Sequence, residues 1–146
     1  MVEISLIFVA GLRKRLPEDE EAVIELLRRC GLPGEDLGLT EGWVVEGPSG
    51  IDGHIALERV PGAVVLRSLA VAPSRQGEGL GRILFDLAES QAEDGLLVLR
   101  TDTIAPWVLR RGYRQAPLRE LPEAIRSTTQ FSGGLCASTP VYIKEG

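Results

Sequence analysis

Residues 64–94 read VVLRSLAVAPSRQGEGLGRILFDLAESQAED, and three patterns meet in this stretch. An apolar run typical of a strand enters Ala72-Pro73, a glycine-rich turn follows, and an amphipathic helix begins. The turn, Gln76-Gly77-Glu78-Gly79-Leu80-Gly81, has glycines at alternate positions where the helix must start. Glycine lets the backbone turn tightly and lets a bulky anion approach the amides with no Cβ in the way. A helix N-terminus offers unpaired N–H groups and a partial positive charge, so this geometry suits a phosphate. In the helix, Leu80, Ile83, Leu84, Leu87 and Ala88 share one face.

Outward from this stretch the chain reads as alternating short elements. Leu96 to Leu99 is wholly apolar, as expected for a strand buried on both faces. Strand, helix and strand make a βαβ unit, so these two strands should be parallel with a right-handed crossover. Upstream, 4–9 reads as a first strand. Residues 17–29 read as a helix, with Val23, Leu26 and Leu27 at helical spacing and Gly31 and Pro33 ending it. Strands over 42–46 and 54–60 read as an antiparallel hairpin with a longer loop around Gly47-Pro48-Ser49-Gly50. Downstream come a brief helix over 104–111, an extended piece from Tyr113, a short helix over 121–128 and a last strand over 141–144.

The 146 residues are expected to form one domain, 1–146, with room for a sizeable core. A hydrophobic fraction of 44% with 25% charged residues sets disordered and fibrous classes aside. The net charge of −5 argues against nucleic acid as a partner. Arg67, Arg75 and Arg82 nevertheless cluster around the glycine turn, which fits a small anionic ligand better than a polyanion. No apolar run is long enough to span a bilayer, and the N-terminus lacks the order of a secretory signal, so a cytoplasmic protein is expected. Cys30 and Cys136 give no disulfide framework, and with one histidine no metal site is expected.

Two glycine-turn classes are excluded by spacing. A P-loop needs Gly-Lys-Ser/Thr, and this turn has no lysine. In the dinucleotide pattern GxGxxG counted from Gly77 and Gly79, the third position is Arg82. A bare strand-to-helix turn would need only one glycine. Gln76-x-x-Gly79-x-Gly81, preceded by Leu69-Ala70-Val71-Ala72-Pro73, resembles the coenzyme-A signature of the Gcn5-related N-acetyltransferases (GNAT). Arg111-Gly112-Tyr113 is similar to the later Leu-Gly-Phe of that family. The likeness covers most of the chain and is faintest before Gly42. The second half, from Leu66-Arg67-Ser68 through 124–131, is also similar to a branch linked with arsenic-resistance operons.

The resemblance implies an α/β fold of the acyl-CoA N-acyltransferase type. Its central sheet is mostly antiparallel with one parallel βαβ pair, and helices cover both faces. It implies acetyl-CoA as cofactor, with Gln76, Gly77, Glu78, Gly79, Leu80 and Gly81 cradling the pyrophosphate and Arg75 and Arg82 adding charge. It further implies that the strand edge at Leu69, Ala70 and Val71 pairs with the pantetheine arm through its backbone, and that an N–H there, at Leu69, serves the reacting carbonyl. The activity implied is transfer of acetyl to a primary amine by direct attack on the thioester.

The remaining chemistry is read from strand parity. His54, Ala56 and Glu58 share one strand face, so His54 and Glu58 are both candidate bases, with His54 at the strand's outer end. Arg67 shares a face with Leu69 and is placed to meet a substrate carboxylate, with Ser68 beside it. Gln130, Phe131 and Cys136 fall in a late loop where the family shapes its acceptor pocket. The family's general-acid tyrosine falls at Val108, which leaves that acid unassigned; Tyr113 and Trp107 are expected in the core, and Tyr142 in the last strand. The expected partner is a small amino-acid-like amine, with no nucleic acid, no membrane, and a homodimer left open. Val108 also supports a different class: a non-catalytic coenzyme-A-binding regulatory or interaction module.

Overall fold

The computed structural model describes residues 10–34, 36–92, 95–101, 104–127 and 139–145. The strand expected over 4–9 lies outside them, as do Gln130, Phe131 and Cys136. The strands are β1 (Leu12–Lys14), β2 (Glu41–Gly47), β3 (Gly50–Val60), β4 (Ala63–Val71), β5 (Leu96–Arg100), β6 (Arg114–Ala116) and β7 (Val141–Glu145). The α-helices are α1 (Glu20–Arg29), α2 (Leu80–Gln91), α3 (Ala105–Arg110) and α4 (Glu123–Arg126).

These strands form one sheet in the order β1-β2-β3-β4-β5-β7-β6. Every described pairing is antiparallel except β4 with β5, the parallel pair expected around the glycine turn. The hairpin differs from expectation. Gly47 pairs with Gly50, so the loop is only Pro48 and Ser49, and β3 begins four residues before His54. Glycine and proline around the turn hid the start of that strand.

Sheet alternation divides the core. On one face α2 lays Leu80, Leu84, Phe85 and Ala88 against Trp43, Ile55, Leu66, Leu97 and Leu99. On the other, α1 packs Val23, Leu26 and Leu27 against Val44, Ala70 and Ala72, while Leu121 and Ile125 cover Val65, Val98 and Ile143. Each of the buried Val, Leu, Ile and Phe side chains among these contributes roughly 1.5–3 kcal/mol. Tyr113, Tyr142 and Val108 belong to the α2 side, and half-buried Trp107 packs against it. The Tyr113 hydroxyl donates to Glu89 Oε2 at 2.6 Å. Burial and that carboxylate push the phenol well above its ordinary range, so it holds its proton within the core.

The entry to α1 is tied down by charge. Arg13 donates to both oxygens of Asp19 at 2.7 and 2.9 Å, and the Leu16 amide donates to Oδ2 at 2.7 Å. The Arg13 bonds hold the Asp19 carboxyl at about 2, below its ordinary 3.8. Asp19 thus binds fewer protons folded than unfolded, so its stabilisation is present above about pH 4 and fades as pH falls through 2. Asp19→Asn is expected to cost about 2 kcal/mol near neutrality and little at pH 2. Urea unfolding at both pH values checks this; an equal cost at each would refute the assignment.

Candidate active site

β4 and β5 pair only at Ala63 with Leu96, Val64 with Leu97 and Val65 with Val98. Beyond these rungs both strands continue, β4 to Val71 and β5 to Arg100, with no further pairing between them. The gap is a cavity of about 410 Å³. β4 lines it from Leu66 to Val71, β5 contributes Leu99 and Arg100, and Phe85 reaches it from α2. The segment after α1, including Cys30 and Leu32, forms another wall. Parallel strands that separate in this way expose backbone to the gap, which an extended ligand can use as an added strand.

A bulge shapes the β4 wall. Ala56 pairs with Arg67 and His54 with Ala70, so Ile55 faces two residues, Ser68 and Leu69. Ser68 lies in the left-handed region at φ +58°, a conformation that costs a non-glycine residue about 1–2 kcal/mol. The extra residue reverses side-chain parity along the strand. Arg67 therefore does not share the face of Leu69. Leu69 and Val71 pack on the α2 side with Leu66, whereas Arg67 turns to the opposite face and meets Glu58. Both faces still reach the cavity, because it runs through the gap in the sheet.

The glycine turn stands at one end. Gln76 lines the cavity, and its side-chain amide donates to the Val71 carbonyl at 3.1 Å. Gly77 and Gly79 have φ of +88° and +86°, and a Cβ on either would project into open space. The first bond of α2 runs from Ile83 N to Gly79 O, and among the described residues the amides of 77–82 donate to nothing. This run of unpartnered donors at the start of a twelve-residue helix fits an anionic group such as a pyrophosphate. Leu80 is buried and offers only its backbone, and Arg82 is exposed beside the turn. Arg75 is bound by Asp52 at 2.8 Å and Glu78 at 2.9 Å, so it braces the turn rather than leaving its charge open to a ligand.

The polar candidates separate by environment. Arg67 is buried and donates to Glu58 Oε1 at 2.9 Å, with side-chain exposures of 2% and 14%. Glu58 does not itself line the cavity; Arg67 does. His54 is fully buried in the interior of β3, against the expectation of an outer strand end. Burial, reinforced by Arg15 and Arg67, holds its imidazole at about 4, so it is neutral at physiological pH. Arg100, Thr101 and Thr139 line the cavity without having been singled out in the sequence. Arg100 is buried and donates from Nε and Nη2 to the Thr139 carbonyl. Its only signal was its place as the charged end of the apolar run LLVLR.

Among the described residues, no group of three or more His, Cys, Asp or Glu side chains could hold a metal ion, and no helix is long and apolar enough to cross a membrane. No protein-family model matches the chain. Solved structures do match its backbone. An N-acetylglutamate synthase from Neisseria gonorrhoeae, complexed with coenzyme A and N-acetyl-glutamate, is 21% identical with a TM-score of 0.75, over 93% of this chain and 35% of its own. The chain thus spans about a third of the synthase chains it matches. Rv2747 from Mycobacterium tuberculosis, in complex with CoA, is 18% identical with a TM-score of 0.72, over 92% of this chain and 98% of its own. A GNAT-family acetyltransferase from Staphylococcus aureus Mu50 is 17% identical with a TM-score of 0.67, over 92% and 97%. With its separated parallel strands, bulged β4 and glycine turn, the chain has the fold of the GNAT acetyltransferases.

Proposed function

We propose that this chain, as one domain over 1–146, is an acetyl-CoA-dependent N-acetyltransferase of the GNAT family acting on the primary amine of a small amino-acid-like acceptor. The observation that carries the reading is a cavity between separated parallel strands that reaches Gln76, the residue immediately before a row of unpartnered amides at 77–82. The presence of coenzyme A in the gonococcal and mycobacterial structures of this fold supports it. Acetyl-CoA supplies an acyl group already activated as a thioester. Gln76, Gly77, Glu78, Gly79, Leu80, Gly81 and Arg82 hold its pyrophosphate, chiefly through backbone amides. The backbone of Leu69, Ala70 and Val71 orients the arm that leads from it, and the Leu69 N–H serves the acyl oxygen.

Arg67, fixed by Glu58, meets a carboxylate on the acceptor, and Ser68 lies beside it. This supports an amino acid or a close mimic over a basic peptide tail. Glu58 stands behind Arg67 and does not line the cavity, so in its role as base it takes the amine's proton by way of a water. Glu58→Ala is expected to lower kcat at least about tenfold, as loss of a proton acceptor does, while coenzyme A affinity stays within about twofold. Glu58→Gln keeps an acceptor for Arg67 but no base, and should behave like Ala. Full turnover in Glu58→Ala at saturating substrates removes Glu58 from the mechanism.

Release of free thiol from acetyl-CoA with a panel of small amines tests the whole reading. One observation favours the second reading, a non-catalytic coenzyme-A-binding module: Val108 is core and Tyr113 is engaged by Glu89, leaving the usual acid without a candidate there. Tight coenzyme A binding with no amine-dependent thiol release would establish the module. A thiol with an ordinary pKa of about 8.5 leaves without a dedicated acid, which keeps the transferase reading chemically complete.

A further inference from the structure

His54 is the chain's one histidine, and two neighbours dictate where its proton sits. Arg15 Nη1 lies 2.9 Å from His54 Nε2, and the Ser68 carbonyl lies 2.9 Å from Nδ1. A guanidinium can only donate and a carbonyl can only accept. Nε2 therefore carries the lone pair and Nδ1 the proton, a single neutral tautomer. Arg15 is itself fastened: its Nη2 donates to Leu37 O at 2.7 Å, Thr40 O at 2.7 Å and Thr40 Oγ1 at 3.0 Å. Gly42 makes room for this contact, since a Cβ there would come within 2.5 Å of Arg15 Nη1 and 3.1 Å of His54 Nε2.

The line of contacts ends at Ser68, the left-handed residue of the bulge, whose other side lines the cavity. We propose that His54 is a positioning residue: clamped by Arg15 as the Nδ1–H tautomer, it holds the Ser68 carbonyl and so fixes the bulge that presents the β4 backbone to the cavity. The inference rests on the transferase reading for its kinetic consequence alone. A histidine that merely fills space would tolerate any side chain of similar volume. A positioning histidine needs its Nδ1 donor, and the two amide side chains separate these cases. Asparagine places its NH₂ near the Nδ1 position, and glutamine reaches the Nε2 position instead.

The test uses the full chain labelled with ¹⁵N. With one histidine, a long-range ¹⁵N–¹H spectrum reports this ring without ambiguity. The expected pattern is Nδ1–H, unchanged from about pH 5.5 to 8.5, because the charged groups that bear on the ring, Arg15 and Arg67, both oppose protonation. An Nε2–H pattern, or a ring that titrates in that range, overturns the proposal. His54→Gln is expected to raise amide exchange at Ala70, the residue paired with His54 across the ladder, about tenfold, the worth of one lost hydrogen bond, and to lower kcat by a similar factor with the KM for acetyl-CoA within about twofold. His54→Asn should stay within about threefold of the unmodified chain in both. Equal behaviour of Asn and Gln overturns the proposal. Should His54→Gln fail to fold, Gly42→Ala displaces Arg15 with His54 intact, and is expected to release the ring into mixed tautomers and raise Ala70 exchange; an unchanged ring pattern would be decisive against it. If the unmodified chain transfers no acetyl group while the Asn/Gln split in exchange persists, the transferase reading fails and the positioning role stands.

Discussion

Replacing Gly79 with valine is expected to weaken coenzyme A binding by at least about 100-fold. Two effects act together. Gly79 sits at φ +86° immediately before the first residue of α2, where a β-branched residue carries a conformational cost of about 1–2 kcal/mol or more. The added atoms also project into open space beside the unpartnered amides of 77–82, and on the proposed reading they obstruct hydrogen bonds to an anion worth about 1.5–3 kcal/mol each. Calorimetric titration with coenzyme A, run well below the melting temperature, reads the affinity directly. Unchanged affinity in Gly79→Val would show that these amides hold no phosphate, and the cofactor assignment would go with them.

Arg67→Met is expected to destabilise the fold by about 3 kcal/mol, because it strips a partner from Glu58, itself largely withdrawn from water. The double variant Arg67→Met with Glu58→Gln should recover part of that loss, with a coupling of about 1–3 kcal/mol. Urea unfolding of the two single variants and the double closes the cycle. Strict additivity would mean that the 2.9 Å contact carries no energy of its own, and Glu58 could not then be the group that aims Arg67 at an acceptor.

The parts of this site legible in the sequence were those governed by local rules. Alternate glycines before an apolar helical stripe announced the turn, and a strand on either side of that helix announced the parallel pair. What could not be read was anything set by a change of register. Leu66-Arg67-Ser68-Leu69 looks like an unbroken strand, so simple alternation puts Arg67 with Leu69; the bulge at Ser68 reverses that, and nothing in those four letters signals it. His54 seemed to stand at a strand end because Gly47-Pro48-Ser49-Gly50 reads as a long loop, whereas it is a tight turn followed at once by strand. The partner of its Nε2 is Arg15, thirty-nine positions away, a pairing that only the assembled sheet brings about. The wall residue Arg100 was missed for a related reason: an arginine after an apolar run reads as a strand leaving the core, and only the separation of β5 from β4 turns that end into a lining.

Just three rungs join β4 to β5, so the sheet is hinged at its centre into a four-strand leaf and a three-strand leaf. The helix α2 lies across both leaves, with Leu84 and Phe85 in one apolar cluster with Ile55 and Leu66 on the first and Leu99 on the second. The spread between the leaves is thereby governed by the bulk of that helix's underside. Over evolutionary time the mouth could be widened for a larger guest by trimming Phe85, with every ladder bond in the sheet left untouched.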